Sequence, residues 1–206
     1  MPIETLLTGD LNARPPSPAP YFFGYGSLVN TRTHAYGQAR PARLSGWRRA
    51  WVQTDLRQVA YLSAVPCADS RIDGLVAEVP GADWAALDDR EFGYDRLAAR
   101  DSVQHDLAPE TEVAVYAIPA NSQRAASLRH PILLSYLDVV IQGYLDVFGT
   151  EGVADFIRTT DGWDTPILND RAAPSYPRAQ VLTTDERDLV DHHLTALGAQ
   201  LIEADQ

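Results

Sequence analysis

The sequence of 206 residues predicts an α+β fold, a small curved sheet or barrel of about six strands followed by a helical C-terminal part. Three observations predict it. Short runs rich in β-branched and aromatic residues recur between turn-forming residues as far as Ile118. From Pro131 onward, apolar residues recur at helical spacing instead. At 45% hydrophobic and 22% charged residues, the chain has ordinary globular composition and enough length to bury a sizeable core.

Met1 to Pro20 reads as an extended tail, because its Arg14–Pro20 end has four prolines in seven positions. Residues 21–206 are expected to form a single domain, with the barrel over about 21–118 and the helical part over about 130–206. Tyr21-Phe22-Phe23 predicts the first strand, and Gly24-Tyr25-Gly26-Ser27-Leu28 a loop leaving it. Glycines flanking a tyrosine permit a tight turn and positive φ, and they leave amide groups uncovered for an anionic or carbonyl group. Arg43 to Thr54 predicts a strand with a bulge at Gly46. Val59–Val65 and Ile72–Val79 read as two strands of a meander, separated by the turn residues Pro66, Asp69-Ser70 and Asp73-Gly74. Tyr94–Ser102 and Glu112–Ile118 add two more. Between them and the meander, Trp84–Phe92 predicts a helix with Asp83 as N-cap and Gly93 as its stop.

In the helical part, Pro131 suits a first helical position, and Ile132–Phe148 is apolar nearly all round, with a narrow polar stripe of Ser135, Asp138, Gln142 and Asp146 ending at Gly149. A proline-punctuated loop from Asp161 to Arg178 follows, of a kind that often covers a site. Within it, Trp163, Arg171, Tyr176 and Arg178 are candidates to meet a ligand carboxylate. The last helix opens on the capping box Thr183-Thr184-Asp185-Glu186 and carries Val190, Leu194, Leu197 and Leu201 on one face.

The formal charge of −11 opposes a nucleic-acid or anionic-membrane partner. A single cysteine, Cys67, cannot close an internal disulfide and fits a reducing compartment. With no apolar run of spanning length and no basic-then-apolar leader, a soluble cytoplasmic protein is expected. Oligomeric state is not legible.

The helical face of Trp84 and Leu87 continues, seven positions after Trp84, to Glu91. Burial there and a place in the last helical turn both disfavour the carboxylate anion, so the pKa should rise toward neutrality, where general acid and base catalysis works best. The competing reading is a glutamate that swings out to Arg90, Arg96 or Arg100. Several other chemistries fit poorly. Val29 stands where a dinucleotide loop needs its third glycine. Ser27 has Tyr25 and Val29 two positions either side instead of the glycines of a nucleophile elbow, although His34 or His105 would still be available as a base. His192 and His193 point about 100° apart on a helix and do not form a metal pair.

Phe23-Gly24-Tyr25-Gly26-Ser27-Leu28, Gly46-Trp47-Arg48-Arg49, Gly74-Leu75-Val76-Ala77-Glu78-Val79 and Leu87-Asp88-Asp89-Arg90-Glu91-Phe92-Gly93-Tyr94 together resemble the γ-glutamylcyclotransferase-like family, in order and spacing, over about residues 20–150. The resemblance implies a compact mixed β-barrel with flanking helices, a substrate pocket lined by Tyr25, Gly26, Ser27 and Leu28, and Glu91 as the proton-transferring residue. It implies a small-molecule γ-glutamyl substrate and neither metal nor cofactor. A family tyrosine following a proline is matched loosely by Pro131 and Tyr136, which makes Tyr136 a further substrate-binding candidate. The alternative is a non-catalytic module that keeps the pocket to bind a metabolite or a partner protein.

Overall fold

The structure, a computed structural model, describes residues 19–124 and 130–203, so all but the end of the expected tail lies outside the described residues. Its strands are β1 (Tyr21–Gly24), β2 (Arg40–Val52), β3 (Tyr61–Glu78), β4 (Asp95–Ala98), β5 (Val103–Gln104), β6 (Val113–Ala117), β7 (Ile132–Leu133), β8 (Thr160–Asp161), β9 (Ile167–Asn169) and β10 (Leu201–Glu203). The α-helices are α1 (Ala85–Arg90), α2 (Leu134–Arg158) and α3 (Thr184–Leu197). A mixed seven-stranded sheet, ordered β4-β6-β1-β3-β2-β5 with β8 also on β2, curls into a half-barrel with the helices around it. Its α+β class is the one the sequence predicts.

Strand β1 occupies the middle of this sheet, antiparallel to β3 and parallel to β6, with all four residues buried. Burial on both faces explains why it reads as an unbroken apolar run instead of alternating. Gly46 takes φ +81° where the β2–β3 register shifts between Ser45 and Trp47, which is the expected bulge. The meander is corrected. Tyr61–Val65 and Ile72–Glu78, the greater part of the two runs, belong to one 18-residue strand, β3, because Tyr61–Pro66 and Arg71–Val76 both pair with β2 on either side of that bulge. Turn residues there bend a paired strand without reversing it, since ladder bonds to a long partner outweigh local turn preference.

Helix α1 is shorter than the expected Trp84–Phe92. Asp83 Oδ1 accepts from the Ala85 N–H at 2.9 Å, and Glu91 already leaves helical geometry as the C-terminal cap. The following strand ends at Ala98 instead of Ser102, and β5 adds a short pairing to β2 that the sequence does not announce.

Pro131 does not start a helix. Ile132 and Leu133 are extended and form, with β9 and β10, a small parallel sheet absent from the sequence reading. Helix α2 then runs past Gly149, where φ of +67° breaks its regularity, to Arg158. Leu134, Leu137, Val140, Ile141 and Tyr144 join Phe23, Leu62 and Val76 in one apolar core. The stripe of Ser135, Asp138 and Gln142 is buried, covered by the C-terminal segment: Ser135 bonds Asp170, Asp138 meets Arg171, and Gln142 bonds Glu186. Asp146 instead pairs with Arg32 at 2.8 Å near the surface. Both halves of the predicted capping box form on α3, whose Val190 and Leu194 are buried. Leu197 and Leu201 are exposed, because Gly198 ends the helix in left-handed conformation and Leu201 lies on β10. Among the described residues no helix is long and apolar enough to cross a membrane.

Candidate active site

Beyond Gly24, the chain leaves the sheet centre through Tyr25 and Gly26 into a short 3-10 turn, Ser27–Val29. The backbone here is held from both sides. Tyr25 O accepts from Arg49 Nε at 3.2 Å and from the Tyr144 hydroxyl at 2.9 Å. Arg49 is 1% exposed and reaches no carboxylate among the described residues. Its other donors go to Asp73 O, Thr159 Oγ1 and Tyr144 Oη, and its guanidinium lies 4.9 Å from the centroids of Tyr144 and Phe156. An unpaired buried cation is costly unless every donor finds an acceptor, so this network fixes the loop carbonyl in place. Farther along, Asn30 donates to Val139 O and to Gln142 Oε1, both at 2.9 Å, anchoring the loop exit on α2.

Gly24 and Gly26 do not adopt positive φ; their role is space. A Cβ on Gly26 would lie 2.6 Å from the Tyr136 hydroxyl, and one on Gly24 2.6 Å from Leu28 Cβ. The side chains of Tyr25 and Leu28 are buried. Tyr25 Oη donates to Tyr116 O at 2.6 Å and accepts from the Ala64 N–H at 2.9 Å, so that side chain braces the sheet.

Glu91 comes to the loop from the end of α1. Tyr25, Gly26, Ser27, Leu28, Glu91, Tyr94 and Tyr136 all line one small cavity of about 30 Å³. Ser27, Glu91, Tyr94 and Tyr136 also line the neighbouring one of about 310 Å³, large enough for a small organic molecule. Glu91 is 17% exposed and pairs with Arg90, 8% exposed, at 3.2 Å. Thus the arginine follows the glutamate inward, and the outward swing considered from the sequence does not occur. Arg90 is steadied by Thr33 O and by the Tyr36 ring. Burial pushes the Glu91 carboxyl up, while Arg90 and, more weakly, Arg178 pull it down; burial wins. Burial likewise raises the Tyr136 and Tyr94 phenols well above their usual value, keeping both neutral. Tyr94 Oη donates to Leu62 O at 2.9 Å.

The long loop divides. Tyr176 and Arg178 line the larger cavity, together with Ser175 and Pro177. Trp163 packs against Trp51 and Phe156 and donates to Ile157 O, while Arg171 is spent on Asp138 and Asp191. His34 has both ring nitrogens on backbone, Nε2 against Leu28 O at 3.0 Å and Nδ1 accepting from the Tyr36 N–H, so it is not paired with Ser27. Arg57, Tyr61 and Phe92 line the larger cavity without having been singled out in the sequence. Phe92 carried a signal, one step past Glu91 and off the apolar face; Arg57 and Tyr61 carried none.

The model of the family described as gamma-glutamyl cyclotransferase, AIG2-like, matches residues 22–134. The chain belongs to this family. No curated protein sequence matches it. Among solved structures, one named gamma-glutamyl cyclotransferase shares 14% identity and a TM-score of 0.55, covering 84% of this chain and 99% of its own. Homo sapiens protein loc79017 shares 14% identity and a TM-score of 0.53, with 84% and 98% covered. YkqA from Bacillus subtilis shares 16% identity and a TM-score of 0.54, with 68% and 54% covered. At these identities the likeness is one of fold. The AIG2-like match takes in Tyr25–Leu28 and Glu91 but stops before Tyr136, and the Ser175–Arg178 wall of the cavity lies wholly outside it.

Proposed function

We propose that the protein cyclises a γ-glutamyl amide or peptide to 5-oxoproline with release of an amine or amino acid, Glu91 acting as general base and then general acid. The observation that carries this reading is a buried carboxyl with raised pKa sharing one cavity wall with the Tyr25–Leu28 backbone. In such a substrate the attacking α-amine and the γ-carbonyl carbon belong to one molecule, so folding it into a small pocket captures the intramolecular advantage without an enzyme nucleophile. The α-amine loses a proton to Glu91 as its nitrogen bonds to the γ-carbon. Negative charge on the carbonyl oxygen is met by N–H groups of the loop. The bond from carbon to the leaving nitrogen then breaks, and Glu91 returns the proton to that nitrogen. Tyr136, whose hydroxyl lies against Gly26, lines the same cavity.

The test is 5-oxoproline formation, followed by mass spectrometry, from glutathione, γ-glutamyl amino acids and γ-glutamylamines. Turnover is expected with at least one class, and Glu91→Gln should bind that substrate but lose turnover by on the order of a hundredfold or more. Undiminished turnover in Glu91→Gln defeats the assignment, and binding without product in the wild type favours the non-catalytic module.

A further inference from the structure

We infer that Arg57 and Arg178 form a clamp for a carboxylate on the leaving group, making the preferred substrates γ-glutamyl amino acids or peptides and not γ-glutamylamines. This rests on the proposed reaction at Glu91. The two arginines come from distant segments, Arg57 from the β2–β3 connection and Arg178 from the β9–α3 connection, yet both line the 310 Å³ cavity. Most arginines of the described residues are committed to carboxylates, among them Arg32, Arg40, Arg43, Arg48, Arg96 and Arg124. Neither Arg57 nor Arg178 has a carboxylate within ion-pair distance among the described residues. Glu91 is the single acidic residue of the lining, and Arg90 already answers it. Arg57, Arg90 and Arg178 against the single Glu91 leave the cavity lining with a positive excess in a chain whose formal charge is −11, which points to an anionic ligand.

Depth decides which part of the substrate they meet. Cyclisation requires the α-amine and γ-carbonyl beside Glu91, so the α-carbon and its own carboxylate stay at the inner end, near Ser27 and Tyr136. Arg57, Phe92 and Arg178 are exposed and form the outer rim, where the leaving group must extend. Tyr61 lines the same cavity and is 8% exposed, and its hydroxyl has no hydrogen-bond partner among the described residues. A carboxylate held between two guanidinium groups uses the geometry arginine favours, and the ammonium end of a diamine would be repelled.

The experiment compares kcat/KM for γ-glutamylalanine and γ-glutamylethylamine, which differ at the leaving group by one carboxylate. The wild type should favour γ-glutamylalanine. Each of Arg57→Ala and Arg178→Ala should reduce that preference by about tenfold, the worth of one charge-assisted contact. The ratio cancels any loss of folded enzyme, so a stability effect cannot imitate the result. An unchanged ratio in both variants, or equal losses on both substrates, overturns the clamp while leaving the cyclisation reading intact. A wild type that makes 5-oxoproline from neither substrate overturns the clamp, and one that makes none from glutathione either overturns the cyclisation reading as well.

Discussion

Glu91 is pulled in opposite directions, and the balance predicts its pH behaviour. Burial raises its pKa and the adjacent Arg90 lowers it, with the net shift upward. A base must be ionised to accept a proton, so kcat/KM should fall on the acid side at a pH above the ordinary glutamate value of about 4.3. Arg90→Ala removes the downward influence and should move that limb to higher pH; a pH–rate profile that stays in place contradicts the pairing. The same shift has a stability counterpart. A folded-state pKa above the unfolded one means that the contribution of Glu91 is full below the unfolded value and declines as pH rises through the folded value. Urea unfolding should therefore show the wild type losing ground to Glu91→Gln as pH is raised across that window. Gly26 makes a separate prediction. Gly26→Ala places a methyl 2.6 Å from the Tyr136 hydroxyl and should cost about 1–3 kcal/mol by overpacking. Adding Tyr136→Phe should recover part of that loss in a double-mutant cycle; strict additivity would mean the two residues do not meet.

Among the elements, α3 and the segment before it show how far local signals reach. The capping box forms as written, and Thr183→Ala should cost about 1 kcal/mol in a denaturation midpoint shift. Leu194→Ala should cost about 2–5 kcal/mol, whereas Leu197→Ala should stay within about 0.5 kcal/mol, although both sit at helical spacing. What separates them is Gly198, which turns the chain before a further turn can reach the core. Asp170 ties α2 to the cavity wall. Its carboxylate accepts from Ser135 N, from Ser135 Oγ and from Ser175 N at 2.6–2.9 Å. Asp170→Ala should cost about 2–3 kcal/mol and also raise KM, because the Ser175–Arg178 wall loses its inner anchor. A variant with lowered stability and unaltered KM would show that this wall does not touch substrate.

Across the whole molecule, the same residues serve both packing and site. Arg49 joins β2 to the Tyr25 carbonyl, to β3 through Asp73 O and to α2 through Tyr144, so the loop geometry depends on three elements at once. Arg49→Met should keep the volume but leave those carbonyls short of donors, with a loss of about 2–4 kcal/mol and impaired turnover beyond what the unfolded fraction explains. The buried stripe of Ser135, Asp138 and Gln142 has a matching logic. In the fold that stripe is the seam on which the C-terminal segment docks.

Strand periodicity, the Gly46 bulge, the capping box and the Tyr25–Leu28 and Glu91 motifs were legible in the residues, because each depends on backbone geometry or spacing within a few positions. The merger of two runs into β3, the small parallel sheet and the cavity lining from Arg57, Tyr61 and Ser175–Arg178 were not. Those depend on which distant segment supplies a partner, and a pairing across tens of residues leaves no local periodicity. Glu91 stands at the border between the two cases: its spacing put it on the apolar face, but only the folded chain brings Arg90 in beside it and sets its charge balance.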